Sequence, residues 1–271
     1  MKSADLHLHT VFSDSTYTPQ ALIKEAKDVG LDCISVVDHD TVAGIDECIK
    51  LATSKGIEVI PGIEVTCEYQ EQEVHILGYL IDYENKALRE KLDELKRVRV
   101  ERIYKIIDKL NNIGIDLKSE DVFALAKEGT VGRLHVARAM LKEGLVGSVG
   151  EAFQKYIGED CPAFVLGFKL TPSEAISLIK NSKGIPVLAH PYSLKRDDLI
   201  PPLVDLGIMG LEVYYPEHTS SMVRSYLSVA KKYNLLITGG SDCHGDIRPE
   251  AKLGSVKIPY ILVEKIKLAR K

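Results

Sequence analysis

Asp5-Leu6-His7-Leu8-His9 alternates polar and apolar side chains, and this alternation predicts a first β-strand. Because side chains alternate between the two faces of a strand, His7 and His9 point to one face, while Leu6 and Leu8 point to the other. Two neutral imidazoles that converge on one point can bind a transition-metal ion together. An amphipathic strand with two hydrogen-bonded histidines would show the same pattern, so the rest of the chain has to decide.

The composition is that of an ordinary globular protein. Of the 271 residues, 45% are hydrophobic and 27% are charged, which is the usual range for a soluble domain. No long uncharged apolar run is present that could span a membrane, and the start of the chain does not resemble a secretion signal. We therefore expect a cytoplasmic protein that makes no contact with a membrane.

The charge balance argues against one class of partner. The chain has 35 basic and 39 acidic residues and a formal net charge of −4. Nothing global therefore attracts a polyanion, and we do not expect long duplex nucleic acid as a ligand. Any affinity for phosphate must be built locally.

The five cysteines are odd in number and show no CxxC spacing. This pattern indicates reduced, mostly buried thiols, not a disulfide framework or a zinc knuckle. Cys243 needs separate consideration because it lies between Asp242 and His244. It could be a nucleophile or a ligand, but we favour a spacer that faces away from its neighbours.

Most of the chain alternates short apolar strands with amphipathic helices, which is typical of a (β/α) barrel. Thr18 and Pro19, for example, form an N-cap and a first helical position. One long segment breaks the alternation, because its apolar residues recur at helical spacing and it contains no convincing strand. We therefore predict an α/β barrel over residues 1–84 and 166–271, with a helical insertion over residues 85–165.

The predicted insertion contains a run of basic residues, which are Lys96, Arg97, Arg99, Arg102 and Lys105. They are interleaved with acidic residues along one helix. Mixed charge of this kind favours a solvated helix face over a nucleic-acid surface.

Side chains that can bind metals recur at or near the ends of the predicted strands. They are His7, His9, His39, Glu64, His75, His190, Asp242 and His244. The carboxyl ends of the strands in a parallel barrel form one face, and active sites of this architecture lie there. Burying so many polar groups without a metal or other partners would be costly, so we interpret them as one metal centre.

These residues resemble, in order and spacing, the motifs of the PHP (polymerase and histidinol phosphatase) family of metal-dependent phosphoesterases. The motifs are His7-Leu8-His9, Asp38-His39, Gly62-Ile63-Glu64, His75, Ala189-His190-Pro191 and Ser241-Asp242-Cys243-His244. The resemblance implies a distorted (β/α)7 TIM-like barrel with a trinuclear metal centre. The helical insertion is similar to that of the subgroup that acts on nucleotides.

The resemblance also implies which residues bind each metal ion. One ion would be bound by His7, His9, Glu64 and Asp242, a second by Glu64, His75 and His190, and a third by Asp14, His39 and His244. Glu64, Asp242 and His190 would be the catalytic residues among these ligands. The mixture of imidazoles and carboxylates favours two to three ions of manganese, iron or zinc over magnesium.

A metal cluster of this kind indicates hydrolysis of a phosphate ester. Metal ions close together lower the pKa of a bridging water, which yields a metal-bound hydroxide, and they neutralise the phosphoryl oxygens. The chain lacks both GxSxG and GxxxxGK[ST], which argues against a serine hydrolase and a P-loop enzyme.

We predict a phosphoesterase that acts on nucleotides: a nucleoside bisphosphate, a mononucleotide or the end of a short oligonucleotide. Within the enzyme class, the alternative is a histidinol-phosphate phosphatase. An alternative of another class is a non-catalytic metal-binding module that serves a partner. The complete set of ligands favours an enzyme, because a degenerate module would be expected to lose several of them.

Three further residues are candidates for contact with the substrate. Gly132 and Arg133 at the start of a helix could present backbone N–H groups and a guanidinium to a phosphate, and His135 follows them. Similar sequences in the family carry this Arg-x-His in the insertion. His218 is a weaker candidate. The alternative for all three is structural: a surface arginine and packed histidines.

Overall fold

The computed structural model describes residues 2–126, 129–166 and 170–270. The strands within these ranges are β1 (Ser3–Leu8), β2 (Cys33–Val36), β3 (Glu58–Tyr69), β4 (Gln72–Tyr79), β5 (Ile185–Leu188), β6 (Gly210–Tyr214), β7 (Leu236–Gly239) and β8 (Ile258–Pro259). They form one sheet in the order β7-β6-β5-β4-β3-β2-β1-β8. The predicted TIM-like α/β barrel is thereby confirmed.

The directions of two strands differ from the prediction of a barrel of parallel strands. Strand β4 runs antiparallel to both β3 and β5, and the short β8 runs antiparallel to β1. His75 therefore lies near the start of β4, where it pairs with Thr66, and not at a carboxyl end. The expectation that His75 lies near the carboxyl end of a parallel strand was wrong, because the apolar pattern of a strand does not contain its direction.

The barrel nearly closes where β7 meets β1. An isolated bridge joins Leu8 to Cys243 just beyond the end of β7. Gly240 makes this approach possible, since a Cβ at that position would lie 2.3 Å from the backbone nitrogen of His7. Closure brings the segment after β7 against β1, and both carry predicted metal ligands.

The α-helices surround the sheet and build the segment between β4 and β5. They are α1 (Pro19–Asp28), α2 (Ile45–Thr53), α3 (Lys86–Asn112), α4 (Ser119–Phe123), α5 (Arg133–Lys142), α6 (Val149–Ala152), α7 (Pro172–Asn181), α8 (Ile200–Asp205), α9 (Ser220–Lys232) and α10 (Tyr260–Ala269). Helix α1 begins as predicted, because the side chain of Thr18 accepts a hydrogen bond from the backbone N–H of Ala21. None of the helices in the described ranges is long and apolar enough to cross a bilayer.

Helices α3 to α6 share an apolar core that extends from Ile103 to Ala163. The first half of α3 packs elsewhere, because Leu88 and Leu95 belong to a core that includes barrel strands. Helix α3 thus connects the two bodies of apolar side chains. The exact division into a barrel and an insertion at residues 85–165 stays a prediction, and residues 127, 128 and 167–169 near it lie outside the described ranges.

Candidate metal centre

Four side chains from three parts of the barrel meet in what we call the inner cluster: His7, His9, Glu64 and Asp242. The Nε2 atom of His7 lies 3.2 Å from Glu64 Oε2 and 3.3 Å from Asp242 Oδ1. The Nε2 atom of His9 lies 3.1 Å from each of the same two oxygens. All four residues are buried, and their ligand atoms face one common point. The two imidazoles of β1 therefore converge as the alternation of the strand predicts.

Glu64 connects this cluster to a second group, the middle cluster, which consists of His39, Glu64 and His75. His39 Nδ1 lies 3.4 Å from Glu64 Oε2. On the other carboxylate oxygen, Oε1, His75 Nδ1 lies at 2.8 Å and His190 Nε2 at 3.1 Å. The two oxygens of one buried side chain thus serve different groups of imidazoles.

The outer cluster consists of His9, Asp14, His39 and His244. His244 Nε2 lies 3.2 Å from Asp14 Oδ1, and His39 Nε2 lies 3.8 Å from Asp14 Oδ2. Burial lowers the pKa of His39 to about 4, so its imidazole is neutral near pH 7. The neutral ring is the form that binds a metal ion.

Several buried polar atoms of these clusters have no hydrogen-bond partner among the described residues: His9 Nε2, Asp14 Oδ1 and His39 Nδ1. Each has an oppositely charged or basic atom within 3.4 Å, but the angles do not make hydrogen bonds. Atoms that point at a shared centre and not at one another have the arrangement that a bound cation requires. The residues therefore fit divalent metal ions, since leaving such groups unpaired would be costly.

The imidazoles are oriented by hydrogen bonds on their other ring nitrogens. His7 Nδ1–H donates to Glu212 Oε1 at 3.0 Å, and His244 Nδ1–H donates to the carbonyl oxygen of Asp242 at 2.9 Å. Both bonds leave Nε2 with its lone pair towards the cluster, which is how metal-binding histidines are usually held. Glu212 also accepts from the backbone N–H of His190 at 2.7 Å.

Glu212 was missed in the sequence, although a signal was present. It is a carboxylate in the middle of the apolar strand β6, where it is fully buried. A buried charge has to be paired, so an acidic residue inside such a strand indicates a functional contact.

Two more missed residues hold Asp242 in place. While Oδ1 of Asp242 faces the inner cluster, Oδ2 accepts hydrogen bonds from Tyr215 Oη at 2.8 Å and from Arg248 Nη1. Arg248 is itself held by Glu217 at 2.7 Å. Asp242 has a backbone φ of +50°, a strained value for a residue with a side chain. These contacts fix the carboxylate with one oxygen directed at the cluster.

Buried aspartates shape the loops on which ligands lie. Asp38 accepts hydrogen bonds from Thr10 N at 2.7 Å and from Ser13 Oγ at 2.6 Å, which orders the loop that contains Asp14. Asp5 does the same for the loop after β7, where it accepts from the N–H and the hydroxyl of Ser241.

In the absence of a metal ion, the carboxylates of the inner and middle clusters favour protonated histidines. Burial opposes the charged form of His9, but Asp242 and Glu64 outweigh it and raise the pKa of His9 to about 10. Glu64 and Glu73 act against burial in the same way and raise the pKa of His75 to about 10. A metal ion would take over the neutralisation of these carboxylates and release the protons.

A cavity of about 280 Å³ lies between this metal face and the helical segment. Its walls are formed by Asp14, His39, Asp40, Thr66, Glu73, His75, Leu95, Val98, Arg99, Arg102, Gly132, Arg133, Leu134 and Phe153. Thr130, just before α5, connects the two walls by two hydrogen bonds of 3.0 Å. Its N–H donates to the carbonyl oxygen of Phe12, and its hydroxyl donates to the carbonyl oxygen of His39. The cavity thus places ligands of the outer and middle clusters opposite arginines of α3 and α5.

The interpretation of the basic run as a solvated face was wrong for two of its members. Arg99 pairs with Asp40 and donates to Thr66 Oγ1 at 3.0 Å, while Arg102 donates from Nε to the Val165 carbonyl oxygen at 2.9 Å. Both line the cavity, whereas Arg97 of the same helix is exposed.

The predicted substrate contacts lie in different surroundings. Arg133 lines the cavity, with Nη2 3.4 Å from Glu73 Oε2. His135 is buried behind it and uses Nδ1 to accept the backbone N–H of Gly132 at 3.1 Å. His218 lies outside the cavity lining, where it packs against tyrosine rings and donates from Nδ1 to the Val213 carbonyl oxygen. A role for these residues with a substrate stays a prediction.

Cys243 shows the features of a spacer. It is buried at 1% exposure, and its sulfur accepts the backbone N–H of Gly245 at 3.4 Å. Burial raises the pKa of the thiol to about 11, so the thiolate needed for a nucleophile is scarce.

This chain matches the model of a known protein family. The model of the PHP domain matches residues 5–184, which contain five of the eight strand-end ligands singled out in the sequence. The chain belongs to the PHP domain family. This confirms the resemblance drawn from the sequence motifs, and with it the prediction of a metal-dependent phosphoesterase.

Curated relatives of this PHP protein match over nearly its whole length. It is 33% identical over 248 residues to a 5'-3' exoribonuclease of Haemophilus influenzae, with 90% of each chain covered. It is 29% identical to a phosphoribosyl 1,2-cyclic phosphate 1,2-diphosphodiesterase of Eggerthella lenta, covering 89% of this chain and 94% of the relative. It is 28% identical to a 3',5'-nucleoside bisphosphate phosphatase of Chromobacterium violaceum, covering 90% and 88%.

A solved structure shares the architecture of this PHP protein. A protein of Bifidobacterium adolescentis, assigned as a metal-dependent phosphoesterase, superposes with a TM-score of 0.91 at 29% identity, covering 98% of this chain and 96% of the other. Dependence on divalent metal ions is therefore supported both by the family and by the clusters of side chains.

Proposed function

We propose that this protein hydrolyses phosphate esters of nucleotides: a nucleoside bisphosphate, a mononucleotide or the end of a short oligonucleotide. The observation that carries the proposal is the cavity in which ligands of the metal clusters face arginine side chains. A cation site opposite guanidinium groups suits a small phosphorylated molecule. The volume, about 280 Å³, lies near the lower limit of ligand pockets, roughly 300 Å³.

The clusters suggest where two to three metal ions would bind. The inner cluster offers His7, His9, Glu64 and Asp242 to one ion. A second would be bound by Glu64 Oε1 with His75 and His190, and a third by Asp14, His39 and His244. Imidazole with carboxylate favours manganese, iron or zinc, because magnesium prefers oxygen ligands.

When bound, such ions would supply an activated water and neutralise the oxygens of the phosphoryl group. The protein's own residues would set the geometry. Glu64 holds two sites at a fixed separation, and Tyr215 and Arg248 keep one oxygen of Asp242 directed at the cluster. Asp242, Glu64 and His190 would thus be catalytic by positioning the ions around the reacting phosphate.

The names of the relatives support the substrate class. They describe an exoribonuclease, a cyclic phosphate diesterase and a bisphosphate phosphatase, all of which act on phosphate esters of a ribose or nucleotide. Our proposal takes the nucleotide part of this range. The arginines of the cavity suit it, since a nucleotide offers phosphate anions on a compact scaffold.

The test is a screen for release of phosphate or mononucleotide by the purified protein with Mn²⁺. The panel should contain nucleoside bisphosphates, mononucleotides, short RNA with a 5'-phosphate, and histidinol phosphate. We expect the highest kcat/KM on a nucleotide substrate. A clear preference for histidinol phosphate would replace this proposal, and absence of turnover on all substrates at full metal occupancy would favour a non-catalytic module.

A further inference from the structure

We infer that helix α10 forms a symmetric interface with a second copy of this chain. The interface would lie at the opposite end of the barrel from the metal clusters, so it does not depend on the proposed function. Three features of this region support it: an exposed apolar stripe, an adjacent apolar groove and the positions of two opposite charges on the same helix.

The first observation is a pair of large apolar side chains that protrude from α10. Ile261 is 55% exposed and Leu268 is 80% exposed, the highest value for a large apolar side chain among the described residues. They are seven residues apart, close to two helical turns, so both lie on one side of the helix. The other side packs on the barrel through the buried Val263 and Ile266. Two apolar side chains in line on the exposed side of an amphipathic helix indicate a contact surface.

The second observation is an apolar groove of about 620 Å³ beside this stripe. Helix α10 contributes Leu262, Lys265 and Leu268 to one wall. The opposite wall includes Met209 and Leu236, which lie where β6 and β7 begin. The groove therefore opens at the amino ends of these parallel strands, whereas the metal clusters lie at the other end of the barrel. A second chain can cover it without blocking the cavity at the metal face.

The third observation is the placement of Glu264 and Lys265, which are both exposed. Successive residues of an α-helix are rotated by about 100° around its axis. The two charges therefore lie on opposite flanks of the stripe formed by Ile261 and Leu268. Lys265 is on the flank that lines the groove, and Glu264 is on the flank that does not.

These positions favour one arrangement of the two copies. When two α10 helices lie parallel about a twofold axis, each flank of one helix meets the opposite flank of the other. Glu264 then faces Lys265 of the partner subunit, and Leu268 lies next to the partner's groove. An antiparallel pair would instead place lysine against lysine and groove against groove. The parallel pair is self-complementary in both charge and shape, which a symmetric interface requires.

The test measures the mass of the full chain by sedimentation equilibrium over a range of concentrations. The wild type should pass from one chain to two, with a dissociation constant on the order of micromolar, because one helix supplies most of the contacts. Leu268→Lys should weaken association by about 30-fold or more, since it removes a central apolar side chain. Leu141→Lys is the matched control, because Leu141 is a 41% exposed leucine on α5, and it should leave association unchanged.

The two charges allow a sharper test, because exchanging them restores the pairing. At low salt, Glu264→Lys should weaken association about fivefold, since lysines then meet at both symmetric sites. Adding Lys265→Glu to the same chain should restore the wild-type dissociation constant to within about twofold. Adjacent residues of a helix do not face each other, so an effect confined to α10 of one chain would not be reversed by the exchange.

The outcomes separate this interface from the catalytic proposal. A wild type that stays monomeric at about 100 μM would overturn the inference and leave the groove to a different partner. A dimer with the same dissociation constant in Leu268→Lys would refute the interface, and one that ignores both charge variants would refute the parallel arrangement. Melting temperature at concentrations where the chain is monomeric, and hydrolysis of phosphate esters, should be unchanged in all variants. Absence of hydrolysis in a dimeric wild type would contradict the proposed function alone.

Discussion

The inner and outer clusters use the same kinds of ligand, but the protein holds them in different ways. In the inner cluster, His7 and Glu64 are fully buried on strands, and Glu212 of the neighbouring β6 orients His7. In the outer cluster, Asp14 and His39 lie on loops and keep 19% and 15% of their side chains exposed. The same ligand types, imidazole and carboxylate, thus occur once on buried strands of the barrel and once on loops at its partly exposed edge.

The two clusters differ in how much conformational freedom their ligand side chains have before a metal ion binds. Ligands that are packed and hydrogen-bonded lose little freedom on binding, so the inner cluster should bind tightly. Ligands on loops near water have to be ordered, and their charges are better screened. We therefore expect the inner metal ion to be retained and the outer one to exchange.

The largest effect should come from removing a ligand of the rigid barrel. Asp242→Ala and His190→Ala should each lower kcat by roughly a thousandfold, because a metal ion contributes several kcal/mol to the transition state. Steady-state kinetics with saturating Mn²⁺ would measure the loss, and circular dichroism would confirm the fold. Near wild-type rates in either variant would contradict the proposed sites.

A smaller effect should come from the residue that orients His7. Glu212→Gln keeps the shape but weakens the hydrogen bond, and should reduce metal affinity about 10–100-fold. Calorimetric titration with Mn²⁺ would measure this, with Glu264→Gln on the exposed side of α10 as the control. Affinity equal to the wild type would mean that the inner cluster does not depend on its support.

Asp14→Ala should affect only the outer cluster. We expect elemental analysis to show one metal ion fewer per chain, while kcat falls only about fivefold, since a charge interaction at this partly exposed edge is worth about 1 kcal/mol. The inner ion should resist dialysis against a weak chelator. Loss of all metal from this variant would show that the clusters are not organised separately.

His135 tests whether the wall behind the outer cluster is structural. Burial lowers its pKa to about 4, below the ordinary 6.5, so the unfolded chain binds the proton first as the pH falls. Above pH 6.5 His135 does not change the free energy of unfolding with pH. Between pH 7 and pH 5 protonation of the unfolded chain lowers the free energy of unfolding by roughly 2 kcal/mol.

His135→Gln should remove this part of the acid sensitivity, because glutamine can still accept the Gly132 N–H and does not titrate. Urea unfolding at pH 7 and pH 5 would measure it. A large change in KM for nucleotides in this variant would instead support contact with the substrate.

The smallest effect should come from the residue between the two clusters. Cys243→Ser should remain active to within about twofold, since the thiol is buried and un-ionised. Substrate turnover and metal content are the measurements. Inactivity with intact metal content would revive a nucleophilic role.

The sequence predicted the elements and the clustering of the candidate ligands better than it predicted their surroundings. His7 and His9 could be paired from strand alternation alone, and the family motifs then indicated the remaining ligands. The direction of β4 could not be predicted, because an apolar strand reads the same in a parallel and an antiparallel sheet. His75 nevertheless reaches the cluster because the β3–β4 hairpin returns it beside Glu64.

The arginines of α3 show a signal that the composition concealed. Leu95, Arg99, Arg102 and Ile106 are spaced by four, three and four residues, so both arginines lie on the apolar stripe of the helix. The alternation of basic and acidic residues suggested a solvated face. The position of each residue around the helix axis, however, distinguishes Arg99 and Arg102 from the exposed Arg97. Which partners the buried guanidiniums meet depends on segments far along the chain, and local pattern does not contain that.

Glu64 gives the metal centre a thermodynamic property that no single site would have. Its Oε2 faces the imidazoles of the inner cluster and its Oε1 faces His75 and His190, so one torsion angle aligns both oxygens. This buried carboxylate keeps little rotational freedom, and the first cation to bind removes the rest, so the next cation finds a ligand that is already ordered. Such coupling is reciprocal by thermodynamic necessity. Loading of the barrel sites should therefore be cooperative, and the enzyme should pass between apo and active forms with few singly occupied molecules.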